Sequence, residues 1–339
     1  MNTVRNAATG ASFDGGPGDL PSFSIVVPTF NRSATVCKCL QSLGGIDWPG
    51  SFEIIVVVDG STDDTVSAVN SLDLELKPIV IEQSNQGAAA ARNRGAAAAR
   101  GDVILFLDDD MIANSDVLIH HAASYREKAI AVVGESPPST ASPESFFSPG
   151  FEQWFAARPG ELEKPFEPMD VLSGHLSVKR KIFENIGGFD ESLTQGGKFS
   201  CEDMDLGFRL FEAGKVVRNP EAVCEHHYVV TARQLLDRTP AIARADVHFA
   251  ALNPAWGQRL FDQRKGANTR RARVLWRPLA KVPLAPTAAH LLARIVSTMP
   301  GLRGSRTYGR ARKVYENCRE VIYWSEAMKA ANGRRFWND

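Results

Sequence analysis

Apolar runs of strand length alternate with longer, helix-like segments through the first part of the chain. Five such runs lie at residues 23–27, 53–58, 78–81, 103–107 and 130–133. Helices are predicted between and after them, over residues 33–43, 87–99 and 115–126, and the first of these ends at Gly44 and Gly45. This alternation is typical of an α/β fold in which a mostly parallel sheet is flanked by helices on both faces.

The pattern changes after residue 135. Residues 136–168 are rich in Pro, Ser, Phe and Glu and indicate a long irregular segment. Further on, the pattern predicts a strand, two helices and a second strand, over residues 171–178, 181–186, 202–213 and 216–225. From about residue 231 onward the chain is helical and increasingly basic. We therefore predict a disordered leader at 1–21, an α/β domain at 22–229 and a helical region at 230–339.

Three consecutive carboxylates follow the strand predicted at Val103–Leu107. Asp108, Asp109 and Asp110 cannot share one dry site unless a cation neutralises them. Mg²⁺ and similar hard divalent ions prefer oxygen ligands and often accompany phosphate groups. The alternative is a solvated acidic turn.

Other polar segments end neighbouring strands in the same way. Residues 28–31 follow the first strand and residues 59–61 follow the second. Parallel strands present their carboxyl ends at one edge of the sheet, and ligands of such folds bind beyond that edge. The three segments are therefore predicted to form one site.

Six ordered motifs resemble those of the large inverting glycosyltransferase family numbered 2, which is built on the Rossmann-like GT-A fold. The resemblance spans residues 23–228. The motifs are SIVVPTFN at 24–31, EIIVVVDGSTD at 53–63, NQG with ARN at 85–93, DDD at 108–110, GGFDE at 187–191 and CEDMDL at 201–206. One departure is that Val58 stands where the family often has the first of two acids.

The resemblance implies a donor site for a nucleotide sugar, with a UDP-sugar favoured. Pro28, Thr29 and Asn31 are expected to contact the nucleoside, and Asp59 is expected to hydrogen-bond the base. For Asp59 the alternative is a simple turn former. Arg92 is expected either to pair with the diphosphate or to brace an acidic loop.

The resemblance also implies a bound Mn²⁺ or Mg²⁺. Asp110 is the expected ligand, with Asp108 nearby, and Asp108 or Asp109 would also touch the ribose or the donor sugar. His226 lies where related enzymes place a histidine that can complete the metal shell, although an isolated histidine is more often structural.

Two acids near the start of the helix at 202–213 are the candidates for catalysis. Asp203 would act as the general base that takes the acceptor proton, and Glu202 would orient the acceptor. The alternative for Asp203 is an acid that stabilises the helix N-terminus. Gly174 and His175 fall in the acceptor-loop region of the family, or form a tight turn with a surface histidine.

The balanced net charge of the chain hides a strong asymmetry. Residues 259–339 contain 18 Lys and Arg against 5 Asp and Glu, a net charge of +13. Since each class totals 39, residues 1–258 hold 21 against 34, a net charge of −13. The basic region is either a solvated helical face or a surface for anionic lipid, with Leu291, Leu292, Ile295 and Val296 inserting. Nucleic acid is not an expected partner, because no reader motif accompanies the charge.

Five cysteines with no metal spacing indicate a reduced setting. No signal peptide or membrane-spanning run is visible, so we expect a cytoplasmic protein that lies, in the second interpretation above, on the inner face of the membrane.

Together these features predict a metal-dependent inverting glycosyltransferase of hexosyltransferase type. Its acceptor would be a hydroxyl of a lipid-linked glycan or a polysaccharide. The alternatives are a retaining transferase on the same fold and a non-catalytic nucleotide-binding scaffold protein. Oligomeric state is not predicted.

Overall fold

A computed structural model describes residues 3–5, 12–14, 20–139, 165–194, 201–227, 231–264, 269–298, 306–334 and 336–337. The chain divides into two compact units. The first comprises residues 1–142, 151–197 and 202–228, and the second comprises residues 143–150, 198–201 and 229–339. Most of the irregular segment predicted at 136–168 lies outside the described residues.

The first unit is built on an eight-stranded sheet. Its strands are β3 (Phe23–Thr29), β4 (Phe52–Asp59), β5 (Ile79–Gln83), β6 (Val103–Leu107), β7 (Met111–Ala113), β8 (Ala131–Glu135), β9 (His175–Lys179) and β10 (Val216–His226). The strand order is β5-β4-β3-β6-β9-β8-β10-β7. Strands β5, β4, β3 and β6 are parallel, whereas β9 runs antiparallel to both β6 and β8, and β7 runs antiparallel to β10.

In the described part of the first unit, six helices accompany this sheet. They are α1 (Ser33–Leu43), α2 (Thr65–Asn70), α3 (Ala88–Ala98), α4 (Val117–Arg126), α5 (Arg180–Asn185) and α6 (Glu202–Ala213). The β-branched residues of β3 and β4 alternate between two apolar clusters, one containing Val27 and Val56 and the other containing Val26 and Val57. Burial on both faces explains why these strands read as unbroken apolar runs.

Close packing of α3 on the sheet depends on Gly95. A Cβ atom at this position would lie 2.3 Å from Val26 Cγ1 of β3. The Ala-rich sequence of α3 serves the same purpose, since small side chains let the helix approach the strands. The start of α3 is thereby held near the carboxyl ends of β3 and β4.

The predicted α/β fold is confirmed, with differences in detail. The strand predicted over 171–178 is shorter and begins at His175. His175 is buried within β9, so of the two alternatives for this residue the surface histidine is wrong. The short strand β7 was not predicted. Within the predicted leader, β1 (Thr3–Arg5) and β2 (Ser12–Asp14) pair antiparallel.

The second unit is helical. Its α-helices are α7 (Ala232–Leu252), α8 (Pro254–Arg259), α9 (Arg277–Ala280), α10 (Ala285–Ser297) and α11 (Arg306–Ala331), with π-helical turns at Leu260–Arg264 and Ala272–Trp276. Phe261, Trp324 and Trp337 form the aromatic centre of its core. Within the described ranges, no single helix is long and apolar enough to cross a membrane. The segments 272–280 and 285–297 together meet the length and composition criteria, but they are bent by 103°.

Candidate active site

The acids after β6 lie beside the first loop of the sheet. Thr29, the last residue of β3, donates a hydrogen bond from Oγ1 to Asp109 Oδ2 at 2.7 Å. The pairing of β3 with β6 ends at Val26 and Phe106, so Pro28 lies beyond that ladder, where its missing N–H costs no bond with β6. The parallel register therefore joins the first loop to the acids, as the sequence predicted.

Arg32 is a site residue that the sequence interpretation missed. Its Nη1 atom lies 2.6 Å from Asp109 Oδ1 and 3.1 Å from Asp110 Oδ2. The side chain of Arg32 is 41% exposed, whereas those of both aspartates are buried. An arginine in the loop that follows β3 was the available signal, because that loop meets the acids at the same sheet edge.

His226 and Asp110 come together as the last strand closes against β7. In the register of these strands His226 pairs with Met111, the residue after Asp110. His226 Nε2 lies 3.2 Å from Asp110 Oδ1, and the His227 N–H donates to the Asp110 carbonyl at 2.8 Å. Burial alone would raise the pKa of Asp110, but His226 and Arg32 outweigh it and lower that pKa.

Arg92 joins the two acidic motifs. Its Nη2 atom lies 2.8 Å from Asp108 Oδ1, and its Nη1 atom lies 3.3 Å from Glu202 Oε1. Arg92 is buried on α3, and it stacks over the Phe189 ring at 5.5 Å. Of the two predicted roles, these contacts match the brace; a contact with diphosphate stays a prediction. The Asp108 N–H donates to the Gly174 carbonyl, and a Cβ on Gly174 would lie 2.6 Å from Asp108 Oδ2.

Asp203 lies at the first turn of α6 and is partly buried. Its Oδ1 atom accepts a hydrogen bond from Ser173 Oγ, a second residue that the sequence interpretation missed. Burial raises the pKa of Asp203, although Arg92 opposes the shift. Burial and the neighbouring Asp203 raise the pKa of Glu202 to about 8. A carboxyl group of raised pKa is suited to accept a proton near neutral pH.

The site holds more negative than positive charge. Five carboxylates converge on two guanidinium groups, those of Arg32 and Arg92. The carboxylates are Asp108, Asp109, Asp110, Glu202 and Asp203. Burial also raises the pKa of Asp109 to about 6, against the opposing effect of Arg32. An added cation would relieve this imbalance.

Asp59 is engaged by its own surroundings. Its Oδ1 accepts from Gln83 Nε2 and from the Gln86 N–H, each at 2.8 Å, and its Oδ2 accepts from the Gly87 N–H at 2.8 Å. The carboxylate thus anchors the loop that leads into α3. These contacts match the alternative in which Asp59 stabilises a turn. Recognition of a nucleotide base by Asp59 stays a prediction.

Asn31 orders the first loop. It adopts a left-handed φ of 52°, which asparagine tolerates better than most residues. Asn31 Oδ1 accepts from the Thr62 N–H at 2.7 Å, and its own N–H donates to Ser61 Oγ at 2.9 Å. Asn31 therefore ties the loop after β3 to the loop after β4, both of which were predicted to contact the nucleoside.

The donor atoms around Asp110 suit a divalent cation, but they are not arranged as a ready metal site. In the part of the chain that the structure describes, no group of three or more His, Cys, Asp or Glu side chains is positioned for one ion. Asp110 Oδ1 is nevertheless buried, with His226 Nε2 3.2 Å away. Carboxylate oxygens beside an imidazole nitrogen are a donor set that Mn²⁺ accepts.

Comparison with solved structures identifies the fold. S. aureus TarS 1-349 in complex with UDP matches at a TM-score of 0.52 and 20% identity, covering 93% of each chain. The mannosyltransferase PcManGT from Pyrobaculum calidifontis, in complex with GDP-Man and Mn²⁺, matches at 0.54 and 22%, covering 95% of this chain and 88% of that one. The fold is therefore that of GT-A-like glycosyltransferases.

Comparison of sequences points to the same class of enzymes. Residues 24–187 match the model of glycosyl transferase family 2. Validoxylamine A glucosyltransferase from Streptomyces hygroscopicus subsp. limoneus is 30% identical over 233 residues, 60% of this chain and 51% of that protein. The chain spans about half the length of this curated relative.

The raised pKa of Glu202 predicts a pH-dependent stability. A carboxyl group whose pKa is higher in the folded than in the unfolded chain stabilises the fold while protonated, and this contribution is lost as pH rises through the folded pKa. We expect the free energy of unfolding of the cation-free protein to fall by about 3 kcal/mol between about pH 5 and pH 8. Urea denaturation at a series of pH values measures it.

Two variants on α6 make this test specific. Glu202→Gln removes the titrating group and is expected to flatten the decline, whereas Glu212→Gln, at an exposed position of the same helix, keeps the slope. An unchanged slope in Glu202→Gln would contradict the assignment to Glu202.

Proposed function

We propose that this protein is a metal-dependent inverting glycosyltransferase that moves a sugar from a UDP-sugar to an acceptor hydroxyl. The observation that supports it most is the pair of contacts of Arg92, which places the acids after β6 beside the acids at the start of α6. A phosphate-side cluster and a candidate base are thus neighbours. The family match and the UDP-bound structural neighbour support the donor class.

The proposed reaction is a single displacement. The acceptor oxygen forms a bond to the anomeric carbon while the bond from that carbon to the diphosphate oxygen breaks. Asp203 takes the proton of the acceptor hydroxyl, and Ser173 fixes the orientation of its carboxylate. Glu202, held by Arg92, orients the acceptor.

The phosphate side relies on the acids after β6. A divalent cation held by Asp108, Asp110 and His226 would neutralise charge that develops on the departing diphosphate. Asp109 would contact the ribose or the donor sugar from its place beside Thr29. The acceptor is proposed to be a hydroxyl of a glycan, either lipid-linked or polysaccharide.

Activity of Asp203→Asn tests the assigned base. We expect kcat/KM for sugar transfer to fall by about 10²–10⁴-fold, since an amide cannot accept the proton. The affinity for UDP, measured by calorimetry, should be unchanged because Asp203 lies on the acceptor side. Glu212→Gln is the matched control and should retain full activity.

The products distinguish this proposal from its alternatives. Transfer from a panel of UDP-sugars and GDP-mannose, followed by NMR of the product, reports donor choice and anomeric configuration. Retention of configuration would overturn the inverting mechanism, and full activity of Asp203→Asn would overturn the assigned base. If the protein binds UDP but transfers no sugar to any acceptor of a broad glycan panel, the alternative of a non-catalytic nucleotide-binding scaffold protein would be favoured.

Arg32 provides a separate test of the cation. Because its guanidinium contacts the carboxylates of Asp109 and Asp110, a divalent ion has to displace it. We therefore expect Arg32→Ala to bind Mn²⁺ about tenfold more tightly than the unmodified protein, in line with removal of one competing ion pair. Calorimetric titration with Mn²⁺ alone measures this.

The control for Arg32 is Lys38→Ala, which removes an exposed positive charge from α1 and should leave the Mn²⁺ affinity within about twofold, as expected for a screened surface charge. Weaker Mn²⁺ binding by Arg32→Ala would contradict competition between the guanidinium and the ion. Absence of Mn²⁺ binding in both proteins would contradict the metal site itself.

A further inference from the structure

The second unit exposes an unusual concentration of large apolar side chains. The described part of the chain has thirteen exposed large apolar residues, and eight of them lie between positions 274 and 295. We call these eight the 274–295 patch: Val274, Leu275, Leu279, Val282, Leu284, Leu291, Leu292 and Ile295. Scattered apolar residues on a surface need no explanation, but a contiguous cluster in one segment indicates an interaction site.

Helix α10 contributes two apolar faces. Ala293 and Val296 are buried on the face that packs within the second unit. Leu291 and Ile295 are 62% and 52% exposed on another face. A helix at the surface of a soluble protein normally presents polar residues there. The second face of α10 is therefore apolar without being covered by the described part of the chain.

Leu284 forms the tip of this surface. It lies in the turn between α9 and α10 and is 78% exposed, the highest value among the exposed large apolar residues. Its φ of 66° is left-handed, a conformation that large L residues rarely adopt. The turn thus holds a bulky apolar side chain outward between segments bent by 103°.

Positive charge surrounds the patch, and negative charge is absent from its sequence. Residues 269–298 contain six Arg and Lys and no Asp or Glu. Five of the six are exposed, namely Arg270, Arg271, Arg273, Lys281 and Arg294. Arg294 also lies 3.3 Å from Asp237 of α7. Apolar side chains bordered by basic residues, in a segment that contains no acids, match the interface of a bilayer with anionic head groups.

The same charges argue against other occupants. A second copy of the chain docked by two-fold symmetry would bring these basic residues face to face with their equivalents. Nucleic acid would engage the arginines but would leave the exposed leucines without an apolar partner.

We propose that the 274–295 patch binds the surface of an anionic phospholipid bilayer. The apolar side chains enter the boundary between head groups and acyl chains, and the surrounding Arg and Lys side chains contact lipid phosphates. Helix α10 has 13 residues, about 20 Å at 1.5 Å per residue, which is too short to cross a hydrocarbon core of about 30 Å. The bend suits a segment that lies in the interface. This proposal does not depend on the proposed sugar transfer.

Co-sedimentation of the full chain with vesicles tests the proposal. Vesicles of phosphatidylcholine alone are compared with vesicles that also contain phosphatidylglycerol. We expect the anionic vesicles to bind at least about tenfold more protein, and added salt to weaken the binding. Equal binding to both vesicle types, or binding to neither, would overturn the assignment to an anionic surface.

Two sets of substitutions separate the contribution of the apolar side chains to vesicle binding from that of the basic side chains. Replacing Leu291, Leu292 and Ile295 together by Ser is expected to lower partition to anionic vesicles by about tenfold or more. Replacing Arg270, Arg271 and Arg273 together by Gln is expected to lower it by a similar factor. The control is Leu252→Ser, at an exposed apolar position of α7 outside the patch, which should bind as the unmodified protein does.

The affected side chains are exposed, so the variants should keep the melting temperature of the unmodified protein. Unchanged vesicle binding by the folded Ser variant would overturn the proposal. Size-exclusion chromatography tests the other possible occupant, a second copy of the chain. A dimer that the Ser variant converts to a monomer would make the patch a subunit interface and would also overturn it.

Discussion

The two ion pairs of the buried Arg92 side chain set the geometry of the whole candidate site. One guanidinium contacts Asp108 at the end of β6 and Glu202 at the start of α6. Asp109 and Asp110 follow the first of these residues and Asp203 follows the second, so that contact fixes the distance between the two acidic motifs. Removing one partner would leave a charge buried without full compensation, at a cost of about 3–5 kcal/mol. The rigidity of the site therefore depends on the burial of Arg92 on α3.

Arg32 and Arg92 make similar contacts but differ in how firmly they are held. The side chain of Arg92 is 7% exposed, whereas that of Arg32 is 41% exposed. Water can solvate the Arg32 guanidinium when it leaves Asp109 and Asp110, whereas the Arg92 guanidinium would stay buried without its counter-charges if its contacts with Asp108 and Glu202 broke. This difference separates a permanent brace from an exchangeable counter-ion. It also explains how a site rich in acids can remain folded before any ligand binds.

Much of the fold could be predicted from local patterns. Helices α1 and α6 and strand β6 have the predicted bounds, because the helices show clear apolar periodicity, the strand is an unbroken apolar run, and all three have recognisable ends. The direction of β9 could not be predicted, since a strand buried on both faces reads alike in parallel and antiparallel sheets. The shared edge of the sheet correctly predicted that the first loop lies near the acids, as Thr29 does beside Asp109, whereas His226 beside Asp110 was expected only from the family resemblance. Side-chain partners such as Arg32 and Ser173 were missed, because periodicity places backbones and does not identify which side chains meet.

For the basic C-terminal region, the sequence identified the apolar residues but could not show which of them are exposed. The leucines of α10 were already visible as an apolar group, and the sequence left a solvated helical face and a lipid-binding surface as equal alternatives. Burial decides against a purely polar face, because α10 hides Ala293 and Val296 and leaves Leu291 and Ile295 outside. A helix that has satisfied its core contacts gains nothing from further apolar residues facing water. Their position next to arginines that no acid of the same segment neutralises is what favours the proposed apolar and anionic partner over a solvated face.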